Sequence, residues 1–115
     1  MKNTIQKYKQ NLFRTLNSEK LSKEIEKLYE TILSTWKRNN QIFICGNGGS
    51  AGNAIHIAND YLYGAGISNN CGLKVEALSS NQAVITCLAN DLGYEHIYSE
   101  QLKVKAKKND LLIIL

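Results

Sequence analysis

Two apolar stripes open the chain. Ile5, Tyr8, Leu12, Phe13 and Leu16 recur at helical spacing over residues 3–16, the period of a helix with one greasy face. NSEK interrupts the pattern. Ser18 is suited to cap a second helix, and Glu19 is favourable in its first turn. Leu21, Ile25, Leu28, Ile32, Leu33 and Trp36 line one side of that helix. An antiparallel helix pair is predicted over 1–38, packing on its own domain or on another subunit. RNNQ makes a turn, and the period then changes. QIFIC (41–45) is the first strand, and a helix follows from Ala51 to about Leu62. LKVEAL (73–78) is the second strand, and SSN caps a helix through AVITCLA. HIYSEQLKVKA is helical, with Ile97, Gln101 and Leu102 near one face. DLLIIL (110–115) reads as a strand buried on both faces. YGAGISNNCG and NDLGYE are loops, the first predicted to be mobile. Strands alternating with helices predict an α/β fold, a parallel sheet flanked by helices and joined by right-handed crossovers. The chain stops inside its last strand, so an incomplete domain is expected.

The stretch CGNGGSAGNAIHIAND (45–60) follows the first strand directly. A helix N-terminus offers unpaired N–H groups and a partial positive charge. Glycines let a ligand come close to that backbone. Such a loop suits phosphate or another oxyanion, at the carboxyl end of a strand where ligands of open α/β sheets bind. The competing reading is a tight turn that needs positive φ. Three glycines with Asn47 and Ser50 in five residues favour a ligand. Gly46, Gly48 and Ala51 fit G-x-G-x-x-A, a weak dinucleotide fingerprint. That fingerprint wants an acidic residue about 20 positions on, at a strand tip. Glu76, the candidate, comes later and falls within the second strand. No G-K-[ST] follows, which excludes a P-loop. A sugar phosphate held by backbone amides, Asn47 and Ser50 fits better.

Asn53, His56 and Asp60 form one polar stripe on the helix behind the loop. His56 and Asp60, four apart, can share a metal ion or a hydrogen bond. A carboxylate there can also serve as general base on a carbon beside a carbonyl. The plain alternative is a solvated ion pair, and two ligands alone do not make a metal site.

Composition narrows the classes. The 115 residues are 43% hydrophobic and 21% charged, enough for one modest soluble domain. No apolar run approaches membrane-spanning length, and MKNTIQKYKQ lacks a signal-peptide core; a cytoplasmic protein is expected. The net charge of +4 is spread over the first forty positions and KVKAKK (103–108), without the basic patch and interleaved aromatics of a nucleic-acid binder. Cys45, Cys71 and Cys87 make an odd number without C-x-x-C. Reduced thiols are expected, Cys45 and Cys87 buried, and no zinc-thiolate site.

CGNGGSAGNAIHIAND, CLANDLGYEHIYSEQL and NDLLIIL together resemble the sugar isomerase (SIS) domain family, and within it the phosphoheptose isomerases. The resemblance runs from the second helix to the end of the chain. It implies a flavodoxin-like three-layer fold, residues 1–115 being the N-terminal part of a single domain with 1–38 serving assembly. It also implies a homotetramer with active sites between subunits. The implied reaction turns sedoheptulose 7-phosphate into D-glycero-D-manno-heptose 7-phosphate, for lipopolysaccharide or capsule precursors.

Position by position, Asn47, Gly48 and Gly49 match the family's substrate loop, with Ser50 beside them. Asn90 and Asp91 match a second substrate-contacting pair. His56 matches a histidine that ligates zinc in members that bind it. Asp60 stands where a glutamate serves as catalytic base and metal ligand. Zinc is thus the implied cofactor, and no nucleotide cofactor is expected. The chain departs from the family in three ways. His56-Ile57-Ala58-Asn59-Asp60 ends in aspartate, one methylene short of the usual glutamate. The loop after this helix lacks an Arg-Pro segment. The family's later phosphate loop and its Gln and His partners lie beyond residue 115. Two other readings stay open: a non-catalytic phosphosugar-binding or assembly protein on this fold, and a dinucleotide-binding domain.

Overall fold

The computed structural model describes residues 2–66 and 71–115. The chain forms two compact units, one ending at Leu33 and one spanning Ser34–Leu115.

The first unit is helical. Helix α1 spans Lys2–Leu16 and α2 spans Glu19–Lys37, its last turn belonging to the second unit. They break where NSEK predicts. The hydroxyl of Ser18 accepts from the N–H of Leu21 at 3.1 Å, an N-cap bond that satisfies one orphan donor of α2. Much of both apolar stripes remains open: Ile5, Leu12, Phe13, Ile25 and Leu28 are exposed, while Leu21, Ile32, Leu33 and Trp36 are half-buried. Among the described residues, nothing buries those five side chains. At its far end α2 closes with Asn39 at φ 57. The N–H of Asn40 reaches Thr35 O at 3.1 Å and that of Asn39 reaches Trp36 O at 2.8 Å. This is a left-handed C-terminal cap, which asparagine tolerates better than most residues.

The second unit is a three-stranded sheet in the order β2-β1-β3, with β1 Ile42–Cys45, β2 Val75–Ala77 and β3 Leu111–Ile114. Both pairings are parallel, Ile44 lying opposite Ala77 and Ile113. Parallel neighbours need crossovers. Helix α3 (Gly49–Leu62) joins β1 to β2, and α4 (Gln82–Asp91) with α5 (Ser99–Lys105) joins β2 to β3. The parallel α/β fold with covering helices is as predicted.

The central strand is buried throughout. Phe43 and Cys45 share one face by strand alternation and cluster with Leu78, against which Tyr98 and Leu102 pack. Ile42 and Ile44 turn to the other face. Burial raises the Cys45 thiol pKa above its ordinary value, as predicted for a core cysteine. Cys87 differs: it is exposed, as is Cys71. The apolar run ITCLA lies on α4, none of whose residues is buried.

Three further expectations are corrected. Strand β3 is not buried on both faces: Leu112 and Ile114 are 40% and 72% exposed. Its only strand neighbour among the described residues is β1, and nothing there covers the face that carries these two side chains. Helix α3 begins at Gly49, two residues before Ala51. The helix expected over HIYSEQLKVKA opens instead as a 3₁₀ turn, Tyr94–His96, and α5 runs only from Ser99 to Lys105. Gly93, at φ 107, lets the chain enter that turn from α4. In the loop predicted to be mobile, a 3₁₀ turn forms at Gly64–Gly66, while residues 67–70 lie outside the described residues. Among the described residues no helix is long and apolar enough to cross a membrane.

Candidate active site

The carboxyl end of β1 runs straight into the glycine loop. Gly48 takes φ 56 and ψ −118 as the residue before α3, a backbone state that side chains resist. A Cβ on Gly46 would stand 2.7 Å from backbone atoms of Ser50, so the turn can close only over glycine there. Gly49 and Gly52 meet nothing within 4 Å. Two glycines thus serve the turn, and Gly49 leaves an opening beside it. The N–H of Ser50 reaches Asn47 O at 3.1 Å, and those of Ala51 and Gly52 reach Gly48 O. The N–H groups of Gly48 and Gly49 find no backbone acceptor among the described residues, as expected at a helix start. Asn47, Gly48 and Gly49 are exposed and Ser50 is half-buried.

Neighbouring segments hold this loop. The Tyr98 hydroxyl donates to Gly46 O at 2.5 Å, and the Tyr94 hydroxyl donates to Asn47 Oδ1 at 2.6 Å. Ser79, just past β2, donates to Ala51 O at 3.2 Å. Burial raises the phenol pKa of Tyr98, more than its bond to Gly46 lowers it, so it stays a donor at neutral pH. Sequence reasoning gave Tyr94 and Tyr98 no role. Their one signal was two phenols four residues apart directly after the LAND motif.

Asn90 and Asp91 close α4. The Asn90 amide donates to Asp91 Oδ1 at 2.8 Å, and the Cys87 thiol donates to Oδ2 at 3.4 Å. These two bonds, Asn90's the stronger, hold the Asp91 carboxyl below its ordinary value. The same hydrogen bond, with Asp91's charge, raises the Cys87 pKa. Cys87 is therefore a neutral donor beside an ionised carboxylate. The second motif reaches the loop through Tyr94, three residues beyond Asp91.

His56 and Asp60 lie on the outer stripe of α3. Gly49, Asn53, His56 and Asp60 fall nearly in line at about 100° per residue, and all four are exposed. His56 Nε2 stands 3.5 Å from Asp60 Oδ2, with the side chains 77% and 56% exposed. Asp60 is about three turns from Gly49, so the structure sets this pair along the same stripe but not against the loop. A structural zinc site needs four ligands and a catalytic one about three plus water. His56 and Asp60 supply two, and no group of three His, Cys, Asp or Glu suited to a metal exists among the described residues. The pair fits one side of a metal site at most.

A parallel α/β unit with a glycine loop between its central strand and a following helix has the layout in which open α/β sheets bind ligands, at the carboxyl end of a strand. The family described as SIS domain matches residues 6–115, and the chain belongs to that family. Among curated proteins it is 37% identical over 95 residues to the phosphoheptose isomerase of Aliarcobacter butzleri, covering 83% of this chain and 50% of that protein. It is 34% identical over 98 residues to the phosphoheptose isomerase of Aneurinibacillus thermoaerophilus, covering 85% and 49%. The chain spans about half the length of the curated relatives it matches. A solved phosphoheptose isomerase from Francisella tularensis superposes with a TM-score of 0.82 at 22% identity, over 97% of this chain and 59% of that one. At that identity the likeness shows the fold.

Proposed function

We propose that the full-length protein is an aldose–ketose isomerase of sugar phosphates, acting on sedoheptulose 7-phosphate to give D-glycero-D-manno-heptose 7-phosphate for lipopolysaccharide or capsule precursors. The observation that carries this reading is the glycine loop: Gly48 and Gly49 N–H groups without a backbone acceptor among the described residues, beside a tethered Asn47 amide. Relatives of the same family named phosphoheptose isomerase supply the substrate class.

In the proposed reaction the loop from Asn47 to Ser50 holds the substrate's oxygens with N–H and O–H donors. The ionised Asp91, steadied by Asn90, accepts hydrogen bonds from sugar hydroxyls. Asp60 takes the proton from C1 of the open ketose, next to the C2 carbonyl. The electron pair forms the C1–C2 double bond of an enediol as O2 gains a proton. Loss of the O1 proton and protonation at C2 then give the aldose. His56, 3.5 Å from Asp60, orients the base. His56 and Asp60 would supply two of the ligands that a zinc ion needs, and a zinc ion completed by further ligands would polarise the substrate's oxygens. The reading includes a cytoplasmic homotetramer, with 1–38 serving assembly. Formation of an aldose phosphate from sedoheptulose 7-phosphate by the full-length protein tests it.

A second reading has one observation in its favour. Asp60 replaces the longer glutamate and, among the described residues, meets only His56. A non-catalytic phosphosugar-binding protein would then bind the heptose phosphate without converting it.

A further inference from the structure

Asn47 is the exposed second residue of the glycine loop, and its side chain has one hydrogen-bond partner among the described residues. The Tyr94 hydroxyl donates to Oδ1 at 2.6 Å. A primary amide has one acceptor oxygen and two donor N–H bonds. With Oδ1 engaged, the amide plane is fixed and Nδ2 is left as the group on offer. No residue among those described accepts from Nδ2. Tyr94 itself is set by local backbone: it begins the 3₁₀ turn after Gly93, and its carbonyl accepts from the N–H of Ile97 at 3.3 Å. One helical turn on, Tyr98 is anchored in the Phe43–Cys45–Leu78 cluster and grips Gly46 O. The same short segment therefore fixes the loop's backbone and the orientation of its one amide side chain.

We propose that Tyr94 is a positioning residue for the substrate loop. It orients Asn47 so that the amide presents N–H donors, not its carbonyl, to the oxygens of the sugar phosphate. Without the hydroxyl the amide is free to rotate and to offer its acceptor, which repels phosphate and carbonyl oxygens. This proposal rests on the sugar-phosphate reading of the loop and adds how that loop selects for electron-rich oxygens.

The test is a double-mutant cycle in the full-length protein with sedoheptulose 7-phosphate as probe. Tyr94→Phe removes only the hydroxyl and is expected to raise KM about five- to tenfold, the worth of one oriented hydrogen bond. The kcat value should change by less than about twofold, because the effect is on binding. In an Asn47→Ala background Tyr94→Phe should do nothing further, since residues acting through one another do not add. An equal effect in both backgrounds, or none in the wild type, overturns the proposal. The Asn47 side-chain amide signals in a ¹⁵N NMR spectrum give a readout independent of turnover. In Tyr94→Phe they should shift, because the bond to Oδ1 is lost. If the wild-type protein converts no sugar phosphate, the isomerase reading fails and this spectrum decides alone: unchanged Asn47 signals overturn the proposal, and shifted ones uphold it.

Discussion

The side-chain amide of Gln101, 5% exposed, donates to Leu78 O at 3.0 Å and to Ile97 O at 2.7 Å. Leu78 directly follows β2, and its N–H reaches Ile44 O at 2.9 Å. One buried glutamine thus ties α5 to the carboxyl end of the sheet, where the glycine loop begins. Gln101→Ala leaves the Leu78 carbonyl without its side-chain donor and opens a small void. A loss of about 2 kcal/mol in unfolding free energy is expected in urea titration. A loss below about 0.5 kcal/mol would show that the tie is incidental.

The four glycines of the loop and first helical turn separate by role. Gly48→Ala forces a side chain into φ 56, ψ −118 and should cost about 1–3 kcal/mol. Gly46→Ala collides with Ser50 and should also destabilise. Gly49→Ala meets open space and gains helix propensity, by up to about 1 kcal/mol. It should leave the melting temperature unchanged or slightly raised, and should increase KM for the sugar phosphate. An unchanged KM would mean that the glycines serve the turn alone.

The exposed His56–Asp60 pair contributes little to stability, since surface ion pairs are worth about 0–1 kcal/mol. Asp60→Asn should leave the melting curve nearly unchanged. It should lower kcat by about 100-fold or more, the usual worth of a general base. Asp60→Glu keeps a carboxylate on a side chain one methylene longer and should keep turnover. Full turnover in Asp60→Asn would remove Asp60 from the mechanism.

Asp110 fastens the start of β3 to the start of β1. Its carboxylate accepts from the N–H of Gln41 at 2.9 Å, the Asn40 amide at 3.2 Å and the N–H of Lys107 at 2.7 Å. Burial raises its pKa, but those bonds and the charge of Lys107 outweigh it, and the carboxyl is held below 3.8. A depressed folded pKa gives stability that is complete above the unfolded value and lost as pH falls through the folded one. Asp110→Ala should cost about 1–2 kcal/mol at neutral pH. The gap from wild type should narrow as pH drops from about 6 towards 3. A gap that is constant over that range would contradict the assignment.

The pattern of apolar positions was enough to place all three strands: QIFIC and DLLIIL are short apolar runs, and LKVEAL alternates apolar with charged positions. Ser18 and the Ser79–Asn81 stretch marked two helix starts, and the side chains of Ser18 and Asn81 make the cap bonds. What the sequence could not convey was tertiary. Cys87 sits in an apolar run yet faces out, because α4 buries no residue. Leu112 and Ile114 read as core but lie on an uncovered face of β3. The loop was legible from its glycines, while its supports were not. Tyr94 and Tyr98 lie 47 and 52 residues from their partners, and no local rule links such distant positions. His56 and Asp60 were legible as a stripe, but what faces that stripe is not written in their spacing.

The central claim is that a base on this domain moves a proton between two carbons of a sugar phosphate. The most direct measurement is proton NMR of sedoheptulose 7-phosphate with the full-length protein in deuterated water, beside its Asp60→Asn variant. Deuterium should enter at the carbon next to the carbonyl together with aldose product, and both should be lost in the variant. A folded wild-type protein that binds the sugar yet gives neither exchange nor aldose would contradict the claim.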